Sequence, residues 1–153
     1  MSMDTMEENR RVNDYSTFEQ EYVELIYQLL KDNPVARIKD IAKLRDVASP
    51  TVTVAIDRLR KSGLVEHEKS GYVVLTEEGQ NLASRLERRH GLIREFLNDI
   101  LGVNCEIAET DACNIEHILD RQSVDRLEEF LEFARESQCE GESWLSRFKK
   151  RRG

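Results

Sequence analysis

Residues 49–65 read Ser-Pro-Thr-Val-Thr-Val-Ala-Ile-Asp-Arg-Leu-Arg-Lys-Ser-Gly-Leu-Val. A hydroxyl residue followed by proline is a preferred helix opening, because the first-turn N–H that proline lacks would have no intrahelical partner. Val52, Ala55, Ile56 and Leu59 then fall on one side at about 100° per residue, and Gly63 supplies a stop. The spacing predicts a helix from Ser49 to about Ser62, with one face in a core and Thr51, Val54, Arg58 and Lys61 on the other. Beyond Gly63 the period changes. Leu64–Glu68 and Tyr72–Leu75 are short β-prone runs separated by Lys69-Ser70-Gly71, which predicts a hairpin.

Upstream, Ser16 and Glu19 have capping-box spacing, and Phe18, Tyr22, Leu25, Ile26, Leu29 and Leu30 form one stripe of a helix that should stop near Asn33-Pro34. A shorter helix is expected over about Lys39–Leu44. Downstream, Thr76 and Glu77 open a long helix carrying Leu82, Leu86, Ile93, Leu97 and Ile100, expected to end at Gly102. Two further helices are expected over Ile107–Leu119 and Ser123–Ser137; Val124, Leu127, Phe130, Leu131 and Ala134 in the latter read as core. Helix, helix, recognition-type helix and hairpin in that order predict a mainly α fold with a small β-hairpin wing: a winged helix-turn-helix followed by an α-helical module. The expected divisions are an unstructured 1–14, a winged helix-turn-helix over 15–76, a helical domain over 77–140 and a basic tail over 141–153.

Composition narrows the function. The 153 residues carry 23 basic and 30 acidic side chains, a net charge of −7 that argues against nonspecific coating of nucleic acid. The charge is partitioned. Arg37–Arg94 holds twelve Lys or Arg against eight Asp or Glu, whereas Asn104–Glu142 holds three against twelve. Five cations follow between Arg147 and Arg152. Exposed charges more than about 10 Å apart are screened at ~0.1 M salt, so a locally basic segment of an acidic chain still meets a polyanion. No apolar run is long enough to span a bilayer, and three cysteines are too few and too odd in number for a secreted disulfide scaffold, so a cytoplasmic protein with reduced thiols and no membrane partner is expected.

The outward face of the Ser49 helix mixes hydroxyl, methyl and cationic groups, the chemistry that meets base edges and phosphates in a major groove. Ser49, Pro50, Thr51, Thr53, Val54, Arg58 and Lys61 are the candidate contacts, with Arg58 and Lys61 on phosphate or guanine and Val54 against a thymine methyl. Alone, such a face is an ordinary solvated surface. A helix before it and a hairpin after it favour DNA.

A second cluster resists explanation as core. Cys113, Glu116 and His117, at i, i+3 and i+4, share an arc of helix opposite Ile115, Ile118 and Leu119, and Glu109 joins it if the helix begins early enough. Thiolate, carboxylate and imidazole are an incomplete ligand set for a divalent transition metal. Glu21 of the first helix and His90 of the long helix border apolar stripes, Glu24 lies further round the same side as Glu21, and all three are candidates to complete it. Taken singly, each has an ordinary structural reading; the combination suggests a metal.

The combination of Tyr22-Val23-Glu24-Leu25-Ile26-Tyr27, Ser49-Pro50-Thr51-Val52, Lys61-Ser62-Gly63-Leu64-Val65, Leu75-Thr76-Glu77-Glu78-Gly79, Arg89-His90 and Ile115-Glu116-His117 resembles the diphtheria-toxin-repressor (DtxR) family of metal-dependent transcription regulators, particularly its short manganese-sensing (MntR) branch. The resemblance covers about Ser16–Phe133. It implies a homodimeric repressor of metal-uptake genes that binds a double-stranded, palindromic operator, with a helical dimerisation and metal-binding domain and no SH3-like domain. It also implies metal ligands at Glu21, Glu24, His90, Cys113, Glu116 and His117. Cys113 stands where the manganese branch has glutamate and the iron branch cysteine. Arg94 stands where iron-sensing relatives have glutamate, and Glu109 where they have histidine. Carboxylates favour Mn²⁺ and Cys113 moves preference toward Fe²⁺, so these two rank nearly level, at one or two ions per subunit, with Zn²⁺, Co²⁺ or Ni²⁺ able to substitute in vitro. Three alternatives remain open at this level: a metal-independent winged-helix regulator, a Cys113-based redox sensor, and a metalloenzyme using Glu116 as general base, for which no nucleophile set or glycine-rich phosphate loop is evident.

Overall fold

The computed structural model describes residues 12–68, 71–137 and 144–151. They form two compact units. One runs Asp14–Leu86, and the other joins residues 12–13 to those from Glu87 onward. The limit falls inside the long helix rather than at its start, because Leu82, Ala83 and Leu86 are buried with the first unit.

In the first unit, α1 (Thr17–Asp32) begins at the expected capping box: the Ser16 side chain accepts from Glu19 N–H, and the Glu19 carboxylate accepts from Ser16 N–H at 2.9 Å. α2 (Ile38–Arg45) ends at Asp46, which takes a left-handed φ of 53° to turn the chain toward α3 (Ser49–Lys61). Val52, Ala55, Ile56 and Leu59 of α3 are buried as its period requires. The cap is one residue earlier than expected. Ala48 occupies it without a side-chain bond, placing Ser49 and Pro50 inside the first turn. α3 closes at Gly63, whose φ of 76° lets Gly63 N–H reach Arg60 O and Leu64 N–H reach Leu59 O, both at 3.0 Å.

The hairpin is present as β2 (Val65–His67) and β3 (Tyr72–Leu75); Lys69 and Ser70 of its turn lie outside the described residues. A third strand, β1 (Ala36–Arg37), completes an antiparallel sheet in the order β1-β3-β2. Ala36 pairs with Val73, and Val65 with Leu75; all four are buried, so one sheet face closes the core. Thr76 joins the sheet to α4 (Glu77–Glu95): its hydroxyl donates to Gly63 O at 2.6 Å and accepts from Gly79 N–H at 3.1 Å.

The second unit contains the remainder of α4, a π-helical segment Phe96–Ile100, α5 (Cys105–Ile115), α6 (Arg121–Glu136) and α7 (Trp144–Lys150). Its core gathers Leu92, Ile100, Leu131, Ala134 and Leu145, with Phe96, Leu127 and Phe130 packed against it. The expected helix ends move for local reasons. Asn104 accepts from Glu106 N–H at 2.9 Å and starts α5 early, and Asp120 accepts from Gln122 N–H at 2.8 Å and starts α6 at Arg121. The expected lack of structure over 1–14 is corrected at residues 12–14, and the basic tail, for which no element was expected, contains one. Val12–Asp14 forms a 3₁₀ turn with Val12 buried, and the basic tail carries α7, anchored by buried Leu145 and by Trp144 against Phe130 at 5.9 Å between centroids. Residues 1–11, 138–143 and 152–153 lie outside the described residues. No helix among the described residues is long and apolar enough to cross a membrane.

Gly79 shows how tightly α4 meets the wing. A Cβ there would fall inside the contact distance of the Leu64 carbonyl, which is backbone and is itself bonded to Thr76 N–H at 3.1 Å. Gly79→Ala should therefore destabilise the first unit by about 1 to 3 kcal/mol, although alanine is the better helix former. A urea midpoint equal to or above that of the wild type contradicts this.

Candidate metal centre and nucleic-acid interface

Ser49, Pro50, Thr51, Thr53, Val54, Arg58 and Lys61 are all exposed along α3. Val54 is 71% exposed. Thr53 Oγ1 donates to Ser49 O at 3.1 Å, so this hydroxyl is already engaged within the helix. Arg58 is also held: its guanidinium lies 4.7 Å from the centroid of the Phe18 ring. Beside it, burial opposes ionisation of Glu19, but hydrogen bonds from Ser62 Oγ at 2.5 Å and from Ser16, with the charge of Arg58, hold its carboxyl below the usual range. α1 thus fixes the far end of α3, while its start carries no side-chain cap, and the Thr51 N–H bonds to Ala48 O at 3.0 Å.

In the second unit α4 and α5 bring five of the predicted donors together. His90 stands between two carboxylates: Nε2 is 2.9 Å from Glu109 Oε1, and Nδ1 is 3.2 Å from Glu116 Oε2, an ion-pair distance without hydrogen-bond alignment. Cys113 Sγ lies 4.0 Å from His90 Nδ1, and His117 Nε2 lies 3.6 Å from Glu116 Oε1. The early start of α5 puts Glu109 and Cys113 one turn apart on the face that meets His90. His90, Glu109 and Cys113 each offer a ligand atom within 4.8 Å of the others. Metal–ligand bonds of about 2.0 to 2.3 Å bring donors to roughly 3 to 4 Å from one another, so small side-chain movements suffice and the set fits a divalent ion. Glu109 is shared, since Arg94 Nε lies 3.8 Å from its Oε2.

Glu116 is only 3% exposed. A buried carboxylate needs compensating charge. Part of it comes from Arg89, which has no place in the predicted ligand set. Arg89, 5% exposed, donates through Nη1 to Glu116 O at 2.8 Å and to Leu119 O at 3.1 Å. Its position was the signal: Arg89 continues the Leu82, Leu86, Ile93 stripe, where an aliphatic side chain is expected.

The two predicted donors of α1 sit in the first unit. Both terminal nitrogens of Arg45 donate to Glu21 Oε2 at 3.0 Å, and Arg45 lies over the Tyr22 ring at 4.8 Å. A cation at Glu21 therefore competes with Arg45, a partner that sequence spacing did not reveal. Glu24 has the opposite character: burial, with repulsion from Glu21, pushes its carboxyl up to about 7.

Comparison with known proteins agrees in both units. Residues 14–73 match the family model described as the N-terminal DNA binding domain of iron dependent repressors, and residues 76–145 match their metal binding and dimerisation domain. The HTH-type transcriptional regulator MntR of Oceanobacillus iheyensis is 37% identical over 114 residues, covering 74% of this chain and 77% of that relative. MntR of Bacillus subtilis is 35% identical over 117 residues, covering 76% and 82%. Among solved structures, the manganese regulator SloR is 32% identical with a TM-score of 0.64, and ScaR with bound Zn²⁺ is 32% identical with a TM-score of 0.67. Each match covers 75% of this chain and 54% of the other, so the chain spans about half the length of these solved structures.

The Glu24 carboxyl yields a pH prediction for the metal-free protein. Its folded pKa lies above the unfolded value, so folding takes up a proton between pH ~4.5 and ~7, and stability falls as pH rises through that window. Glu24→Gln should stabilise metal-free protein at pH 8 by about 1 kcal/mol, discounted from the full shift because the carboxyl keeps partial solvent contact, and by almost nothing at pH 4.5. Thermal melts at the two pH values distinguish this from a pH-independent effect.

Proposed function

The chain belongs to the iron-dependent repressor family of transcriptional regulators, and on that premise we propose that it represses metal-uptake genes by binding a palindromic operator as a homodimer when its metal centre is filled. The family is one of DNA-binding regulators rather than enzymes, and its members join a DNA-binding domain to a metal-binding and dimerisation domain. The observation that carries the reading is His90 between Glu109 and Glu116, with Cys113 beside it and His117 beyond. These five residues supply imidazole, carboxylate and sulfur donors. Glu21 and Glu24 are the further donors that the family resemblance implies. Mn²⁺ and Fe²⁺ are the proposed native ions, at one or two per subunit; Zn²⁺, Co²⁺ and Ni²⁺ are in-vitro substitutes, a view supported by the similar ScaR having bound Zn²⁺. A repressor of genes works in the cytoplasm.

In this reading the cation supplies positive charge and fixed ligand directions where carboxylates otherwise repel. This chain's own residues do the rest. Pairing of Glu109 and Glu116 with a common positive charge draws α5 to α4, and the resulting order biases the protein toward its DNA-competent state. The two α3 helices of a dimer then enter major grooves about 34 Å apart or a multiple of it. Lys61 and the α3 N-terminus contact phosphate, and Thr51 and Val54 face base edges. Arg58 reaches the backbone from its seat on Phe18.

The test is an operator titration by metal-free protein, repeated anaerobically with Mn²⁺, Fe²⁺ and Zn²⁺. Coupling of about 1 to 3 kcal/mol predicts a gain of roughly 5- to 150-fold in operator affinity with Mn²⁺ or Fe²⁺. Equal affinity throughout rejects metal gating. On the DNA side, Lys61→Ala should weaken all sequences alike and lower the salt dependence by about one counterion, whereas Val54→Ala should lower discrimination at one base pair. Competition binding against single-base operator variants at two salt concentrations separates these outcomes.

A further inference from the structure

Two of the proposed donors do not sit within a helix. α5 ends at Ile115, and Glu116 and His117 occupy the turn that leads to the Asp120 cap of α6. Such a position is a poor platform. The last carbonyls of a helix have no intrahelical partners, and helix ends fray unless something satisfies them. The common solution, a left-handed glycine after the cap, is absent: Glu116 is the cap in right-handed geometry, and His117, Ile118 and Leu119 follow.

Arg89 and Asn13 fill that role. Arg89 Nη1 bonds the carbonyls of Glu116 and Leu119, so one guanidinium nitrogen spans the turn from its first residue to its last. Its other terminal nitrogen, Nη2, donates to Asn13 Oδ1 at 3.0 Å, and Asn13 Nδ2 donates to Leu119 O at 3.1 Å. Asn13, Arg89 and Leu119 therefore close a ring of hydrogen bonds. The residue after Arg89 is His90, whose Nδ1 faces the Glu116 carboxylate. Neighbouring residues of α4 thus hold Glu116 by its backbone and face its side chain. A guanidinium suits the place better than an ammonium, because its donors diverge in a fixed plane toward three acceptors.

We propose that Arg89, braced by Asn13, is a positioning residue that presets the Glu116–His117 pair for metal binding, so that the segment preceding α1 is part of the metal-sensing apparatus. The proposal rests on the metal reading above, to which it adds a support outside the ligand set. Loss of such an outer partner typically costs 10- to 100-fold in metal affinity.

The experiment uses full-length protein with wild type, Arg89→Lys and Asn13→Ala. Co²⁺ and Mn²⁺ affinities are measured with the Co²⁺ d–d spectrum, and amide hydrogen exchange over residues 116–119 is followed without metal. The expected result is a 10- to 100-fold loss of affinity for Arg89→Lys and a several-fold loss for Asn13→Ala. Both should alter the Co²⁺ spectrum and accelerate exchange at Ile118 and Leu119, with helix content preserved. Because Arg89→Lys keeps the charge, its loss of affinity would identify the two-carbonyl geometry as the cause. Wild-type affinity and spectrum in both variants would overturn the proposal, even with lowered melting temperatures, since that is what a purely structural arginine predicts. Unchanged exchange over 116–119 would overturn it as well. Should Arg89→Lys fail to fold, Asn13→Ala, which alters only an exposed side chain, decides alone. Failure of wild type to bind either ion, with exchange in Asn13→Ala still accelerated, would instead overturn the metal reading and with it the sensing role, leaving only a brace on the turn.

Discussion

The helical unit is arranged around a carboxylate that has been taken out of water. An ionised Glu116 at 3% exposure is tolerable only where positive charge or strong donors surround it, and the loss of solvation is several kcal/mol if they do not. His90 and His117 approach the two carboxylate oxygens, and Arg89 takes the carbonyl of the same residue. Imidazole is a variable partner, charged or neutral as its protonation dictates, whereas guanidinium is a permanent one. A divalent ion accepted by these donors would meet the imidazoles and the carboxylate and leave Arg89 untouched. This division of labour explains why a cation is found in a helix stripe otherwise occupied by Leu82, Leu86 and Ile93.

The DNA-binding unit is governed by a different constraint, the close approach of backbone to backbone. Gly79 lets the first turn of α4 lie against the Leu64 carbonyl, and Thr76 ties that turn to Gly63. The end of α3, the root of the wing and the start of α4 are thereby fastened at one point. At the other side, Ser16, Glu19 and Ser62 link the beginning of α1 to the residue that caps α3, with Arg58 stacked on Phe18 nearby. A recognition helix held in this way presents its outer face without adaptation, so little ordering cost is left for the encounter with DNA.

Sequence legibility followed the range of the interactions. The capping box, the apolar face of α3 and the hairpin depend on residues a few positions apart, and their periods declare them. The placing of Glu109 and Cys113 on one helical face was legible from their spacing, whereas Glu116 and His117, expected on the same helix, lie in the turn that follows it. Illegible features were those decided by distant partners or by very short segments. β1 has two residues and so no period, and it exists because Ala36 and Arg37 pair with Val73 and Tyr72. The engagement of Glu21 by Arg45, and the grip of Arg89 and Asn13 on Leu119, join residues widely separated along the chain. The switch from α to π geometry over Phe96–Ile100 has no marker in residues 96–100 that propensity would weigh. α7 was hidden by its charge: the cations of Arg147–Arg151 outweigh the anchoring of Trp144 and Leu145 when composition is read without a core to receive them.

The distribution of charge connects these two constraints. Asn104–Glu142, with three cations against twelve anions, repels a polyanion and attracts a divalent cation, whereas Arg37–Arg94 has the reverse preference for DNA. The two segments meet within the helical unit, where Arg94 of the basic segment lies 3.8 Å from Glu109 of the acidic one. If the predicted donors hold the ion as proposed, it would add two units of charge where Glu109 and Glu116 converge on His90, and at donor separations near 3 Å that change would be poorly screened. On the proposed mechanism, regulation by the metal passes through contacts, among them the hydrogen bonds by which Arg89 of α4 holds the turn after α5.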